Sequence, residues 1–383
     1  MASVGQSDEQ RDAASSAGKP MMEMPGWLDL LGGLVERSRG FWRKVGDLET
    51  EQYREALAGI RIDRPIYIAG VARSGSTILL EMLSRHQDAA THQYRDFPLV
   101  LAPIHWDRAF GKRQAKQTEA VERAHKDRIK VTLSSPEAME EVLWTAFFPN
   151  LHDATHSHVL DATTSAPAFE AFYHDHVRKI LMIRNGRRYL AKANYNVTRL
   201  AYLQKLFPDA RFVVPVREPL WHVASLVKQH HLFVEAEARD PRIRRHMRRA
   251  GHFEFGLGRQ VVNTSNDDEA ARIEALWSAG HDLEGYARLW AQTYGFVLDQ
   301  LAKQPTLAEA VRIVRYEDFC AQPETELEAI AAHVGLEFDR STIAEMASGI
   351  SSPDYYAPRF DADERALIGT VTRVTARQLG YES

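Results

Sequence analysis

The chain has 383 residues, 44% hydrophobic and 26% charged, the balance of an ordinary soluble globular protein. Its formal net charge of -4 gives no overall attraction to nucleic acid or to an anionic membrane. The single cysteine, Cys320, excludes an internal disulfide and a cysteine-based zinc cluster; with no signal-peptide core and no run of about 20 apolar residues, a cytoplasmic setting is expected.

Residues 1–24 are rich in Ser, Ala, Gly, Asp and Gln and are expected to form a disordered arm. Residues 25–62 read as a helical extension, two short helices broken near Gly32–Gly33 or Gly40, with Trp27, Leu30, Leu31, Leu34 and Trp42 at apolar positions. That stripe is read as packing on a core rather than as a membrane-surface helix. Next, "RPIYIAG" is a short buried strand that enters the glycine loop "GVARSGST", and "STILLEMLSRH" follows as a helix. Further strands are expected at 158–163, 179–185, 211–218 and 311–318. Helical patterns occupy 136–148, 187–206, 219–233, 268–303 and 323–334, with 230–285 as a helical insertion or lid. The alternation predicts one P-loop domain over 63–383, a three-layer α/β/α fold around a mostly parallel sheet. Such sheets bind ligands beyond the carboxyl ends of their strands, where Gly70 and Arg217 lie.

The loop Gly70–Thr77 has the glycine spacing of a nucleoside-triphosphatase P-loop, but Ser76 stands where the lysine belongs. A glycine turn before a helix offers unpaired N–H groups and the positive end of the helix dipole to an anion, and the Ser74, Ser76 and Thr77 hydroxyls add donors. Without the lysine, a triphosphate is poorly neutralised. A two-unit anion suits the loop better, with Arg73 on its bridging oxygen. In the second motif, "FPDARFVVPVREPLWHVASLVKQH", Arg217 leaves a strand, Pro219 opens a helix and Ser225 lies about two turns into it. Arg217 and Ser225 either converge on one phosphate or have structural partners.

Together these motifs resemble the PAPS-dependent sulfotransferases, whose donor is 3'-phosphoadenosine-5'-phosphosulfate (PAPS) and whose product is adenosine 3',5'-bisphosphate. The stretch "RIVRYEDFCAQPETELEAIAAHVGL" is similar to that family's Y-E-D/N strand and helix, which implies that Tyr316 contacts adenine. The resemblance runs from about Pro65 to Leu336, weakest over 97–156 and 230–285. It implies that Arg73 and Ser74–Thr77 hold the 5' end, that Arg217 and Ser225 hold the 3'-phosphate, and that no catalytic metal is needed. Many members carry lysine in place of Arg73, and the family's C-terminal loop over the 3'-phosphate has only a faint counterpart in "YYAPRF", with Arg359.

In "LAKANYNVTR", Lys192 matches the family's catalytic lysine, and Asn194 stands where cytosolic members have their histidine base. Asparagine cannot take a proton at neutral pH, so the base must come from elsewhere. Members acting on sugars imply a carboxylate some 20–30 positions after the loop cation, which selects Asp96. Its structural alternative is an ion pair with Arg95 or a helix cap before Pro98. Glu137, Glu140 and Glu141 are the rival acids, otherwise explained as first-turn charges of a helix. The expected reaction moves a sulfuryl group to an acceptor hydroxyl or amine on a small molecule, lipid or carbohydrate. A P-loop kinase or triphosphatase, and a non-catalytic nucleotide-binding protein, are the alternatives.

His152, His156 and His158 have no zinc frame around them, so no metal is expected, and His230 is read as packed or solvated. The arginine run from Arg239 to Arg249 is read as an exposed helix balanced by Glu235, Glu237 and Asp240, with a lid for an anionic acceptor as the alternative. No nucleic-acid partner and no integral membrane segment are expected, and a homo-oligomer is compatible with the sequence.

Overall fold

The computed structural model describes residues 26–111, 121–122, 130–352 and 358–381; the arm expected over 1–24 lies outside them. Five parallel strands form the central sheet: β1 (Ile66–Ile68), β2 (Ala89–Ala90), β3 (Arg188–Lys192), β4 (Arg211–Val216) and β5 (Val311–Arg315), in the spatial order β2-β3-β1-β4-β5. Strand alternation splits their side chains between two cores. Tyr67, Tyr189, Phe212 and Val214 face the larger core, and Ile66, Ile68, Leu190 and Val213 face the smaller.

The helices used below are α1 (Gly26–Arg37), α2 (Arg39–Gln52), α3 (Ser76–Leu83), α4 (Glu141–Phe147), α5 (Pro167–Arg184), α6 (Pro219–Arg239), α7 (Pro241–Ala250), α8 (Asp267–Ser278), α9 (Asp282–Lys303) and α10 (Pro323–Val334). Residues from α5, α6 and α9 complete the larger core, while Leu79 and Leu80 of α3 and Leu327 and Ile330 of α10 complete the smaller. Each such fully buried side chain is worth about 1.5–3 kcal/mol in burial alone.

Two expected strands are corrected. Residues 179–185 are not a strand: Lys179–Arg184 are the last turns of α5. Phe169, Phe172, Tyr173, His176, Val177, Ile180 and Leu181 are buried at helical spacing, and the helix stops where Asn185 takes a left-handed φ of 52°. The strand follows at once, so 188–192 is β3, inside the span read as helix. Only Leu200–Leu206 of that span is α-helical, after a 3-10 turn over Asn194–Thr198. Residues 158–163 form a loop, because the Asp161 carboxylate accepts from the Thr163 and Thr164 amides and curls the chain.

The N-terminal extension is helical and breaks at Ser38, close to Gly40. Its apolar stripe packs only in part. Val35 is buried and Trp42 packs against the core, whereas Leu30, Leu34, Phe41 and Leu48 are exposed. Among the described residues no helix is long and apolar enough to cross a membrane.

Candidate functional site

The register of the sheet brings the motif residues to one edge. Ile68 of β1 lies beside Lys192 of β3, and Val216 of β4 lies beside Arg315 of β5. The P-loop, Lys192, Arg217 and Tyr316 therefore leave or end four strands at the same carboxyl edge.

Within the P-loop, two glycines are required by what surrounds them. A Cβ on Gly70 would lie 2.9 Å from the Pro215 carbonyl oxygen of β4. Gly75 has a left-handed φ of 98°, and a Cβ there would meet the Tyr316 ring at 2.7 Å. As the N-cap of α3, Gly75 has no side chain to occupy the first-turn amides, which suits an anion. Arg73 also has a positive φ, 73°, and its Nε donates to Ser225 Oγ at 3.3 Å. The Arg217 guanidinium lies 5.0 Å from the Tyr316 ring centroid. Arg73, Gly75, Arg217, Ser225 and Tyr316 thus form one cradle, although 243 residues separate Arg73 from Tyr316 in the chain.

A second layer of contacts holds the cradle. His222 of α6 is buried, and burial pushes its pKa down to about 3, so the neutral ring donates Nε2–H to the Ala72 carbonyl at 2.8 Å. Trp290 Nε1 donates to the Arg217 carbonyl at 3.2 Å. Glu317 accepts from the Glu218 amide at 3.0 Å and from the Tyr381 hydroxyl at 2.7 Å.

On the other side of the P-loop, Lys192 is buried at the end of β3. Its charge acts on Glu137, in the loop before α4, and on Glu254, in the loop after α7. Burial raises the Glu137 pKa, but the Lys192 and His252 charges outweigh it and hold that carboxyl below its usual range. Glu254 is driven down to about 2, burial being overcome by His252, Asn194 and Lys192. Asn194 Nδ2 donates to Glu254 Oε1 at 2.6 Å, and His252 Nδ1 lies 3.6 Å from Glu254 Oε2. For His252 too, burial disfavours the charged form, but Glu254 and Glu137 win and raise its pKa.

Asp96, expected as the base, belongs to a different network. Its Oδ2 accepts from the Gln93 amide at 2.9 Å and lies 3.2 Å from His92 Nδ1, while Oδ1 is ion-paired to Arg184. It caps the 3-10 turn Tyr94–Asp96, and its 3% exposure leaves no open face for an acceptor. Burial would raise its pKa, yet His92 and Arg184 hold it low. The structural alternative of a cap is the one realised, with Arg184 and not Arg95 as the ionic partner.

The rival acids separate equally clearly. Glu141 is paired with Arg199 at 2.8 Å and with His152 at 2.6 Å. Glu140 accepts from the Tyr173 and Tyr189 hydroxyls inside the core. Glu137 feels the Lys192 and His252 charges more than any other, whereas Glu140 and Glu141 are taken up by these partners. Of the other histidines, His158 Nε2 contacts the Asp153 carbonyl at 3.1 Å, and His230 is buried 3.9 Å from Asp282. Arg359 is exposed, and the tyrosines of "YYAPRF" lie outside the described residues.

Sequence reasoning missed His252 and Glu254. The usable signal was the alternation H-F-E-F: Phe253 and Phe255 are buried, while the charges of His252 and Glu254 interact with Lys192.

A family model described as the sulfotransferase family matches residues 65–255. Among solved structures, sulfotransferase STF9 from Mycobacterium avium is 14% identical, with a TM-score of 0.52 over 88% of this chain and 82% of that one. Sulfotransferase STF1 from Mycobacterium tuberculosis H37Rv is 15% identical, with a TM-score of 0.47 over 97% and 92%. Mouse sulfotransferase SULT7A1, complexed with PAP, is 12% identical, with a TM-score of 0.37 over 84% and 86%. At these identities the likeness concerns the fold alone, and the Mycobacterium avium structure carries it. No curated protein matches the chain. The family match spans the P-loop, Lys192, Arg217 and Ser225, and this chain belongs to the sulfotransferase family and is a sulfotransferase.

Proposed function

We propose that the enzyme transfers the sulfuryl group of PAPS to an acceptor hydroxyl, with Glu137 in the role first expected of Asp96. The observation that carries the donor reading is the 3.3 Å contact between Arg73 and Ser225, which joins the loop suited to a 5'-phosphosulfate to the motif suited to a 3'-phosphate. The first-turn amides of α3 and the Ser74, Ser76 and Thr77 hydroxyls hold the 5' end. Arg217 and Ser225 take the 3'-phosphate, and Tyr316 lies against adenine. The residues fit the donor without a P-loop lysine, since Arg73 supplies the cation and the far unit of the anion carries less charge than a γ-phosphate.

The acceptor oxygen forms its bond to sulfur as the bond from sulfur to the 5'-phosphate oxygen breaks, and that electron pair leaves with adenosine 3',5'-bisphosphate. Arg73 and Lys192 stabilise the charge growing on the departing phosphate. The acceptor proton goes to Glu137. A carboxylate held below its usual pKa is a weak base, but the proton becomes acidic as the oxygen–sulfur bond forms, so a late transfer is sufficient. His252 and Lys192 flank this carboxylate and keep it ionised.

Calorimetric titration with adenosine 3',5'-bisphosphate and with ATP–magnesium tests the donor assignment. Metal-free binding of the bisphosphate, weakened in Arg217→Ala, supports it. Preference for ATP–magnesium, or no change in Arg217→Ala, sinks it.

A further inference from the structure

The N-terminal helix α1 lies wholly before the family-matched residues 65–255, yet it grips α7, the helix that leads into His252 and Glu254. Helix α7 contains Arg245, Arg248 and Arg249 on the side that meets α1. Asp29 Oδ1 accepts from Arg249 at 2.6 Å and Oδ2 from Arg245 at 2.9 Å. Glu36 receives Arg249 Nε at 2.9 Å and Arg248 at 2.8 Å. Arg249 also donates to the Asp29 carbonyl at 2.8 Å. Three of the six arginines read as balanced by Glu235, Glu237 and Asp240 are held by α1 instead, while Arg239 does pair with Glu235 and Arg242 with Asp240.

Not all of these pairs matter equally. Arg245 and Arg248 are 43% and 58% exposed, so their pairs are worth little. Arg249 is 11% exposed, and its planar fork meets three acceptors, two carboxylates and a carbonyl. It lies directly over Gly32 and Gly33, where a Cβ would come within 3.4 Å and 3.0 Å of its side chain. The double glycine of α1 is thus the groove into which Arg249 fits.

What α1 holds leads straight into the site. Helix α7 ends at Gly251, whose φ of 82° turns the chain, and a Cβ there would meet Glu141 of α4 at 2.4 Å. His252 comes next. The Phe253 amide donates to the Tyr195 hydroxyl at 2.8 Å, and Asn194 holds Glu254. The end of α7 is consequently caught between α1 and α4, one residue before His252.

Resting on the reading of Glu137 and Lys192 above, we propose that α1 is an ionic clasp, through Asp29, Glu36 and Arg249, that positions His252 and Glu254 against Lys192 and Glu137 on the acceptor side. Arg249, Asp29 and Glu36 are positioning residues; none of them belongs to the donor cradle. The charged and titratable groups that face His252 are Glu254 on its own segment, Glu137 before α4, Lys192 at the end of β3 and His246 on α7.

The test uses the full chain with Asp29→Asn/Glu36→Gln, with Arg249→Met and Arg249→Lys, and with the exposed Leu34→Ser as control. Three quantities are measured: affinity for adenosine 3',5'-bisphosphate, sulfate release from PAPS to water, and the titration of the His252 ring by NMR. Because the described contacts of Asp29, Glu36 and Arg249 include no cradle residue, bisphosphate affinity should stay within about 2-fold in every variant. Sulfate release should fall about 10-fold or more in the double variant and in Arg249→Met, with Arg249→Lys intermediate and Leu34→Ser unchanged. The His252 midpoint should move down toward its ordinary value as it loses Glu254 and Glu137. An unmoved His252 midpoint in a folded double variant overturns the clasp, as does loss of bisphosphate binding in step with sulfate release. Failure of the wild type to bind the bisphosphate would overturn the donor assignment, while the His252 titration would still judge the clasp on its own.

Discussion

The two sides of the P-loop are built in different ways. The proposed donor cradle is made of strand ends and the turns that leave them: Gly70–Thr77 after β1, Arg217 after β4 and Tyr316 after β5, with Ser225 two turns into α6. Neighbouring strands in register bring these groups together, as the Val216–Arg315 pairing does for Arg217 and Tyr316, and His222, Trp290 and Glu317 hold the turns behind them. The acceptor side draws Glu137 from before α4, Lys192 from β3, Asn194 from a 3-10 turn, and His252 and Glu254 from beyond α7. No single element positions them. A cradle set by sheet register tolerates little change, whereas an acceptor side assembled from separate loops can be altered without rebuilding the donor site.

That contrast can be broken experimentally, and the sharpest attempt is Lys192→Ala. Sulfuryl transfer should fall about 10²- to 10³-fold, the cost of removing a group aimed at developing charge. Bisphosphate affinity should change only a few-fold, and an equal collapse of both would show that the two sides are not separable. Next in size is Glu137→Gln, for which a loss of about 100-fold in transfer is expected from a missing general base. Its companion Asp96→Asn should leave bisphosphate binding intact and instead lower the melting temperature, because Arg184 loses a buried partner. If Asp96→Asn abolished transfer in a stable protein while Glu137→Gln did not, the base would be reassigned. Arg217→Ala should weaken bisphosphate binding by about 1.5–3 kcal/mol, the usual worth of a bond to a charged group.

The smallest effect on transfer is expected from the pH dependence of stability. Glu141 has a folded pKa depressed to about 2, burial being outweighed by Arg199 and His152. Its ionised form therefore contributes stability that is complete above the unfolded carboxyl value and is lost as pH falls through the folded one. Acid unfolding followed by circular dichroism should show stability declining from about pH 4.5 toward 2, by on the order of 3 kcal/mol from this group. Glu141→Gln should flatten that limb, and an unchanged limb would remove Glu141 as its source.

The donor motifs were legible because each is short and local: glycine spacing, an arginine at a strand end, a serine on the next helix, a tyrosine after another strand. Errors appeared where local pattern is ambiguous. The run "KILMI" reads equally as a buried strand or a helix end, and the contacts of Phe172, Tyr173 and Val177 one and two turns earlier are what make it helix. Asp96 had the expected spacing from Arg73, but spacing along a chain does not say which way a carboxylate turns. Arg184, eighty-eight positions later, decided that.

By itself, then, the sequence determined the class of fold and the place of the glycine loop, Lys192 and Arg217 at the strand ends, since these depend on residues close in the chain and on strand order. Tertiary structure alone decided that Asp96 pairs with Arg184, that Asn194 and His252 meet Glu254, and that Asp29 and Glu36 hold Arg249 of α7. These depend on loops meeting from distant parts of the chain, where burial and charge, not periodicity, set the partners.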